Sequence, residues 1–471
     1  MKNERPLRQL RFLLFSLVLV LTFEGLVRKK APGVGKVVLF FLKDFVVGLI
    51  WICVLRVPKP REAKFLIYAY WTVAIFMVPV VIATALHDPL LAVFGVKQYL
   101  LFPIVGIATF VAYKDMPVES LISFLRRTAF LVIPTSLLAL IQLRLPADHW
   151  LNLSVGGTSL EGFSASGLLR VSSTFPFVAQ YTMFLNAQVF FVVVALYHLK
   201  GLTVWRKVLH LSLPFLLILG SYITGSRGAV LGDAAIVVLA LGLIAMKGHA
   251  ARAFQAGLLV ALLYLAFLVV KELSPSSFAV YSEREQGQLI GVSSEIQHRV
   301  FDMLFGWMWG IPGAPASLIG YGLGVMSNGS DLLSSYAQSW RGEGSWTETD
   351  YSTTLFEGGF YLVAVWYAFR YFIIFETTRR FVTATSRDFV IPAAFCQGYV
   401  ILTGVLATLA IQPPVAIWWW ISVGTSLVFW YKSVETPGEE PPPDSEEPPT
   451  PLPTKILRGR SAYAEQLHSG K

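Results

Sequence analysis

Charge is scarce in this chain. Asp, Glu, Lys and Arg make up 14% of its 471 residues, where a soluble domain carries about a quarter, so a water-soluble fold is excluded. Cysteine is scarcer still. Cys53 and Cys396 both lie inside apolar stretches, which excludes a disulfide framework or a cysteine metal cluster. The 7 histidines are scattered, and without metal-ligand spacing neither a metal nor a cofactor is expected. Strict apolar–polar alternation is missing, which argues against a membrane β-barrel. RFLLFSLVLVLTFEGLV lacks a small-residue cleavage site and leads straight into more apolar runs, so no cleavable signal peptide is expected.

What fills the chain is apolar: 55% of the residues are hydrophobic. Runs of about 20 residues, the length that crosses a bilayer core, recur along most of it. The fold class is therefore an all-α polytopic membrane protein, because in lipid a helix satisfies its own backbone groups. About twelve transmembrane helices are predicted, centred near Val18, Gly48, Ile75, Val105, Pro134, Ala187, Leu216, Val237, Leu262, Tyr361, Tyr399 and Val423.

Basic segments orient them. MKNERPLRQLR, LRVPKPREAK, LKGLTVWRK, MKGHAAR and TTRRFVTATSR all fall on one side, which the positive-inside rule makes cytoplasmic, with both termini. The net charge of +9 is thus a property of loops and calls for no nucleic-acid partner. One loop dissents: VRKKAPGVGK, 27–36, is basic yet lies outside. Two outer loops are long, about 144–177 and about 272–350, the second between helices nine and ten. Residues 1–433 form the membrane domain. Residues 434–471, which open with the Pro/Glu-rich VETPGEEPPPDSEEPPTPLPTK, read as a disordered cytoplasmic tail. No internal repeat is evident, which counts against transporter folds built from duplicated halves.

SYITGSRGAVLGDAA lies within an apolar run, Leu211 to Met246, whose 36 residues include only two charges, Arg227 and Asp233. As one helix the run would measure ~54 Å, against a core of ~30 Å. The chain must turn near Gly225 and Gly228, which brings Arg227 to the outer start of the eighth helix. There its guanidinium and the helix's unpaired N–H groups make an anion site; the alternative is an arginine that snorkels to lipid headgroups.

Three other outward-facing stretches are of the same kind. GLLRVSSTFPFVAQYTMFL puts Arg170 before the sixth helix. QHRVFDMLFGWMWGIPGAPASLIGYGLGVMSNG carries His298 and Arg299 and closes on the turn Gly320, Gly322, Gly324. GSWTETDYSTTLFEGGFYL brings Glu348, Asp350 and Glu357 to the start of the tenth helix. Asp350 and Glu357, seven apart, share a helix face, where they could meet sugar hydroxyls or form packed interhelical hydrogen bonds. Lys43 and Asp44 are adjacent in the second helix and cannot face one another, so each needs its own partner.

The ordered set TGSRG, RVSSTF, R…GYGLG and E.GG, with FEGLVRKKAPGVGKVVLFFLKD near the N-terminus, resembles the O-antigen ligase and O-antigen polymerase superfamily of bacterial inner-membrane glycosyltransferases. The likeness covers most of residues 23–431. It implies transfer of an oligosaccharide from an undecaprenyl diphosphate carrier to an acceptor hydroxyl, on the outer face of the inner membrane and without a metal. Arg227, Arg299 and Arg170 would hold the diphosphate through bidentate forks. His298, Asp350 and Glu357 would contact sugar or acceptor.

Ligases carry a His, a polar residue and nine more residues before a Gly. Counting back from Gly359 puts Glu348 and Thr349 at those positions, and that segment has no histidine. The resemblance therefore tilts toward a polymerase, with Glu348 as the catalytic base; Thr347 to Asp350 also reads as a capping box. The alternatives are a ligase with a lipid A–core or other acceptor, and a transporter or flippase of an anionic lipid-linked sugar. The expected partners are the lipid-linked oligosaccharide, the glycan or lipid A–core acceptor, the bilayer and other polysaccharide-pathway membrane proteins.

Overall fold

A computed structural model describes residues 4–157, 169–197, 199, 202–273, 305, 308, 310–311, 314–341, 349–384 and 386–435. His298, Arg299, Glu348 and the tail from residue 436 lie outside the described residues. The protein is a multi-pass, all-α membrane protein. Among the described residues nine helical segments are long and apolar enough to cross a bilayer.

The helices are α1 (Glu4–Lys30), α2 (Gly33–Leu55), α3 (Lys64–His87), α4 (Pro89–Leu100), α5 (Ile104–Tyr113), α6 (Val118–Ala129), α7 (Val132–Arg144), α8 (Val178–Tyr197), α9 (Val204–Ile223), α10 (Arg227–Met246), α11 (Ala250–Leu273), the short α12 (Ser335–Arg341), α13 (Asp350–Ala384), α14 (Val390–Leu406) and α15 (Pro413–Glu435). Each of the twelve expected centres falls inside one of them. The pairs α4–α5 and α6–α7 are each one apolar run broken once. The first break comes at Pro103, which has no N–H to donate. The only strands among the described residues are Gly310–Ile311 and Ala314–Pro315, paired antiparallel.

Helix α8 is enclosed by α6, α9, α10 and α14, and α1 packs along α2 and α5. Every residue of α5 is buried, as are Trp418, Trp419 and Trp420 of α15. Trp419 meets its polar need by donating Nε1–H to the Val400 carbonyl at 2.9 Å.

The dissenting basic loop has a structural use. Lys29 Nζ donates to the Leu151 carbonyl at 2.7 Å and to Ser172 Oγ at 3.0 Å. Lys36 Nζ donates to the Val155 carbonyl at 2.9 Å, and the Lys30 ammonium sits 4.3 Å over the Trp150 ring. These cations fasten the loop after α7, so both loops lie on one face. On the opposite face Lys247 Nζ bonds the Val382 carbonyl at 2.6 Å and Arg380 the Glu62 carbonyl at 3.2 Å.

Helix α13 is kinked at Gly359, whose φ of +66° is the left-handed region open to glycine. The cause is a second segment of the same chain. Phe360 and Tyr361 donate their N–H groups to the carbonyls of Ser317 and Leu318, each at 3.0 Å. In the other direction Tyr321 and Gly322 donate to Phe356 and Glu357, at 2.7 and 3.1 Å. A Cβ on Gly320 would stand 2.5 Å from the Gly358 nitrogen. The GYGLG and E.GG motifs are therefore one interlocked knot.

Candidate functional site

The TGSRG turn forms as its glycine dictates: α9 ends at Ile223, Gly225 takes φ +60°, and α10 starts at Arg227. Arg170 reaches the turn from the segment before α8, its Nε donating to the Thr224 carbonyl at 3.5 Å. Two of the arginines expected at the diphosphate thus belong to one neighbourhood, at the start of a twenty-residue helix. Beneath the turn Asp233 is held by Ser221 Oγ at 2.6 Å and by Asn186 Nδ2 at 2.7 Å. Asn186 also bonds the Ala229 carbonyl at 2.9 Å, so α8, α9 and α10 are locked together under Arg227.

An apolar cavity of about 510 Å³ opens below the same turn, between α8, α9, α10 and α11. Tyr222 and Val230, on either side of the turn, line its near end, and Val237 and Tyr197 lie farther along. Val230 to Val237 is one helical stretch of about 10 Å. Ser221, Asp233 and Gln255 bring polar groups to a mostly apolar wall.

A second cavity, polar and small at about 20 Å³, lies where three motifs converge. Glu24 and Arg28 come from α1, Lys43 from α2 and Gln98 from α4. Gln180 follows RVSSTF, and Asn328 follows GYGLG. Glu24 accepts from Arg28 at 2.9 Å and faces Lys43 at 3.5 Å; Lys43 also bonds the Phe40 carbonyl. Asp44 turns the other way to Lys97, at 2.8 Å. Lys43 and Asp44 thus each find a separate partner, as their adjacency requires.

Glu24, Lys43 and Gln98 are 7%, 2% and 2% exposed, and the Gln98 Oε1 and Arg28 Nε atoms are buried without a partner. Burying such atoms unpaired costs about 1–3 kcal/mol each. Arg170, bonded to the TGSRG turn, and Pro176, in the lining of the second cavity, are six residues apart and joined by no more than about 22 Å of chain.

Asp350 and Glu357 point into the bundle. Asp350 pairs with Arg370, which is itself fully buried, and accepts from Tyr367 OH at 3.2 Å and Ala410 N at 3.4 Å. Glu357 accepts from Tyr99 OH at 2.8 Å and from Met326 N at 3.0 Å. Glu357 thus makes the interhelical bond that was the alternative to sugar contact, to Tyr99 of α4, whereas the partners of Asp350 lie farther along α13 itself and in the segment before α15. At the start of α13, Thr349 Oγ1 accepts from Ser352 N at 3.1 Å, so Thr349 caps the helix; Thr347, the expected cap, lies outside the described residues.

Sequence reasoning missed Glu24, Arg28, Lys97, Gln98 and Gln180. The available signal was Glu24 with Arg28, an i,i+4 acid–base pair inside an apolar helix, hidden by the run of basic residues that follows. Among the described residues no group of three or more His, Cys, Asp or Glu could hold a metal ion. No family model matches the chain, and no curated protein shows significant similarity to it.

Proposed function

We propose that the chain is a glycosyltransferase on the outer face of a bacterial inner membrane, with both termini cytoplasmic. It takes an oligosaccharide from undecaprenyl diphosphate and adds it to an acceptor hydroxyl, as a surface-polysaccharide polymerase does. The observation that carries this reading is a cationic rim joined to an apolar cavity. Arg170 bonds the turn that leads into Arg227, and a space of about 510 Å³ lined by Tyr222 and Val230 begins below that turn. A lipid diphosphate has the same two parts.

Arginine forks bind phosphate oxygens at any pH, and the start of α10 adds backbone N–H groups. Such donors stabilise the charge that builds on the departing diphosphate. The small cavity around Glu24, Arg28 and Lys43 has room for about one hydroxyl. Arg299, His298 and Glu348 belong to the outer loop and complete the scheme, Arg299 on the diphosphate and Glu348 as base. With lipid A–core as the acceptor the same machinery is a ligase.

One observation favours transport instead. Lys43 lies about 15 Å along α2 from its outer end, and intramembrane charges mark pathways in pumps and transporters. Binding decides first. Purified protein is titrated with undecaprenyl diphosphate while thermal unfolding is followed, since a ligand of the folded state raises the midpoint. Arg227→Lys and Arg170→Gln are expected to lose most of that rise. An equal rise from uncharged undecaprenol, or from both variants, contradicts the reading.

A further inference from the structure

On the face opposite the candidate site, α1, α5 and α6 enclose a cavity of about 470 Å³, within the range of small-molecule sites. Arg11 reaches it from α1 and Arg127 from α6, so the charge is assembled by the fold and not by a run in sequence. Arg11 is steadied by a hydrogen bond to the Ala112 carbonyl at 3.4 Å, one of the five donors a guanidinium carries. Tyr113 lines the same cavity, and both guanidiniums act electrostatically on its hydroxyl.

Helix α6 is strongly two-sided. It buries Leu121, Ile122, Phe124 and Leu125 and leaves Glu119 and Arg127 exposed. Phe12, Phe15, Phe124, Ser120 and Ser123 complete the wall, and Phe12 is 70% exposed. Cations, hydroxyls and an aromatic edge at one helix end are the features of an interfacial lipid site.

We propose that this cavity binds the headgroup of an anionic glycerophospholipid of the phosphatidylglycerol class. The two arginines take the phosphodiester, bidentate where geometry allows. Glu119, with Ser120 and Ser123, takes the hydroxyls of the headgroup glycerol. Two cations and one carboxylate leave a formal charge of +1, which one phosphodiester neutralises. An ethanolamine headgroup satisfies Glu119 but leaves that charge uncompensated, because it carries no net charge. The acyl chains run past Phe12 into the membrane.

The test uses the full chain, purified in detergent, given equimolar phosphatidylglycerol and phosphatidylethanolamine and read by native mass spectrometry. Wild-type protein is expected to retain one phosphatidylglycerol at least fivefold over phosphatidylethanolamine. Arg11→Gln with Arg127→Gln is expected to abolish that preference, whereas Arg5→Gln with Arg8→Gln, the same charge removed from α1 outside the cavity, keeps it. Ser123→Trp fills the cavity without changing charge and is expected to lose the lipid too, so either variant decides if the other fails to fold. Equal retention of the two lipids, an unchanged preference in the cavity variants, or equal loss in the α1 control overturns the proposal.

Discussion

At the scale of single residues, burial marks the charges that hold the protein together. Asp350 and Arg370 are 1% and 0% exposed, and removing one member of such a pair strands the other, at a cost of about 3–5 kcal/mol. Asp350→Asn and Arg370→Met are each expected to lower the thermal midpoint sharply. The double variant should be milder than the two effects added, because the partners share one interaction. Strict additivity would show that the pair is not coupled. Arg227 predicts the reverse pattern. Arg227→Lys keeps a charge but loses the planar fork, so it should weaken undecaprenyl diphosphate binding about tenfold or more with the midpoint of the ligand-free protein unmoved. A fall in that midpoint instead would make Arg227 structural. The arginine at the turn was legible because a 36-residue apolar run has to break and its glycines mark where. The partners of Asp350 were not, because Arg370 and Ala410 meet it only through packing that no local pattern records.

At the scale of elements, the outer segments are fastened to helix ends by specific bonds. Thr84 Oγ1 accepts from Leu323 N at 2.8 Å, and His87 stacks on Tyr336 at 5.5 Å. Asp88 caps α4 through Leu90 N and Leu91 N, at 3.0 and 3.1 Å. The Ser334 hydroxyl first, and then the Leu91 N–H, hold the Asp88 carboxyl below its ordinary pKa. A depressed carboxyl stabilises above its unfolded pKa and loses that contribution as pH falls through the folded value. Amide exchange in residues 323–336, corrected for intrinsic rate, should therefore stay slow near neutrality and rise below about pH 4. Asp88→Asn should remove that step; an identical pH profile in the variant would detach Asp88 from the loop.

The knot offers a second check at this scale. Gly359→Val puts a Cβ 2.3 Å from the Leu318 backbone at a positive φ, so it should expose 317–322 to protease while α14 and α15 stay protected. Protease resistance equal to wild type would mean that the crossing is not needed. The sequence named both glycine motifs but not their contact. Backbone pairing between segments nearly forty residues apart leaves no trace in hydropathy.

At the scale of the whole molecule, the twelve expected centres were legible because bilayer thickness sets the length of an apolar run, although among the described residues nine segments are long and apolar enough to span it. What escaped was the convergence of α1, α2, α4 and the segments after RVSSTF and GYGLG on one polar cavity, since only three-dimensional packing brings Glu24, Lys43 and Gln98 together. Sidedness follows from the same assembly. Cysteines at positions 30 and 227 should react with an impermeant thiol reagent from one side only, and one at position 247 from the other. Labelling of position 227 from both sides would favour a transport path.

The central claim is glycan transfer, and one reconstitution tests it most directly. Protein in vesicles receives undecaprenyl-diphosphate oligosaccharide from the producing cell as sole substrate, and products are separated by gel and mass spectrometry. The account predicts a ladder spaced by one repeat unit that Arg227→Lys does not form. With intact substrate and folded protein, the absence of any new glycosidic bond, with lipid A–core also offered as acceptor, would contradict it.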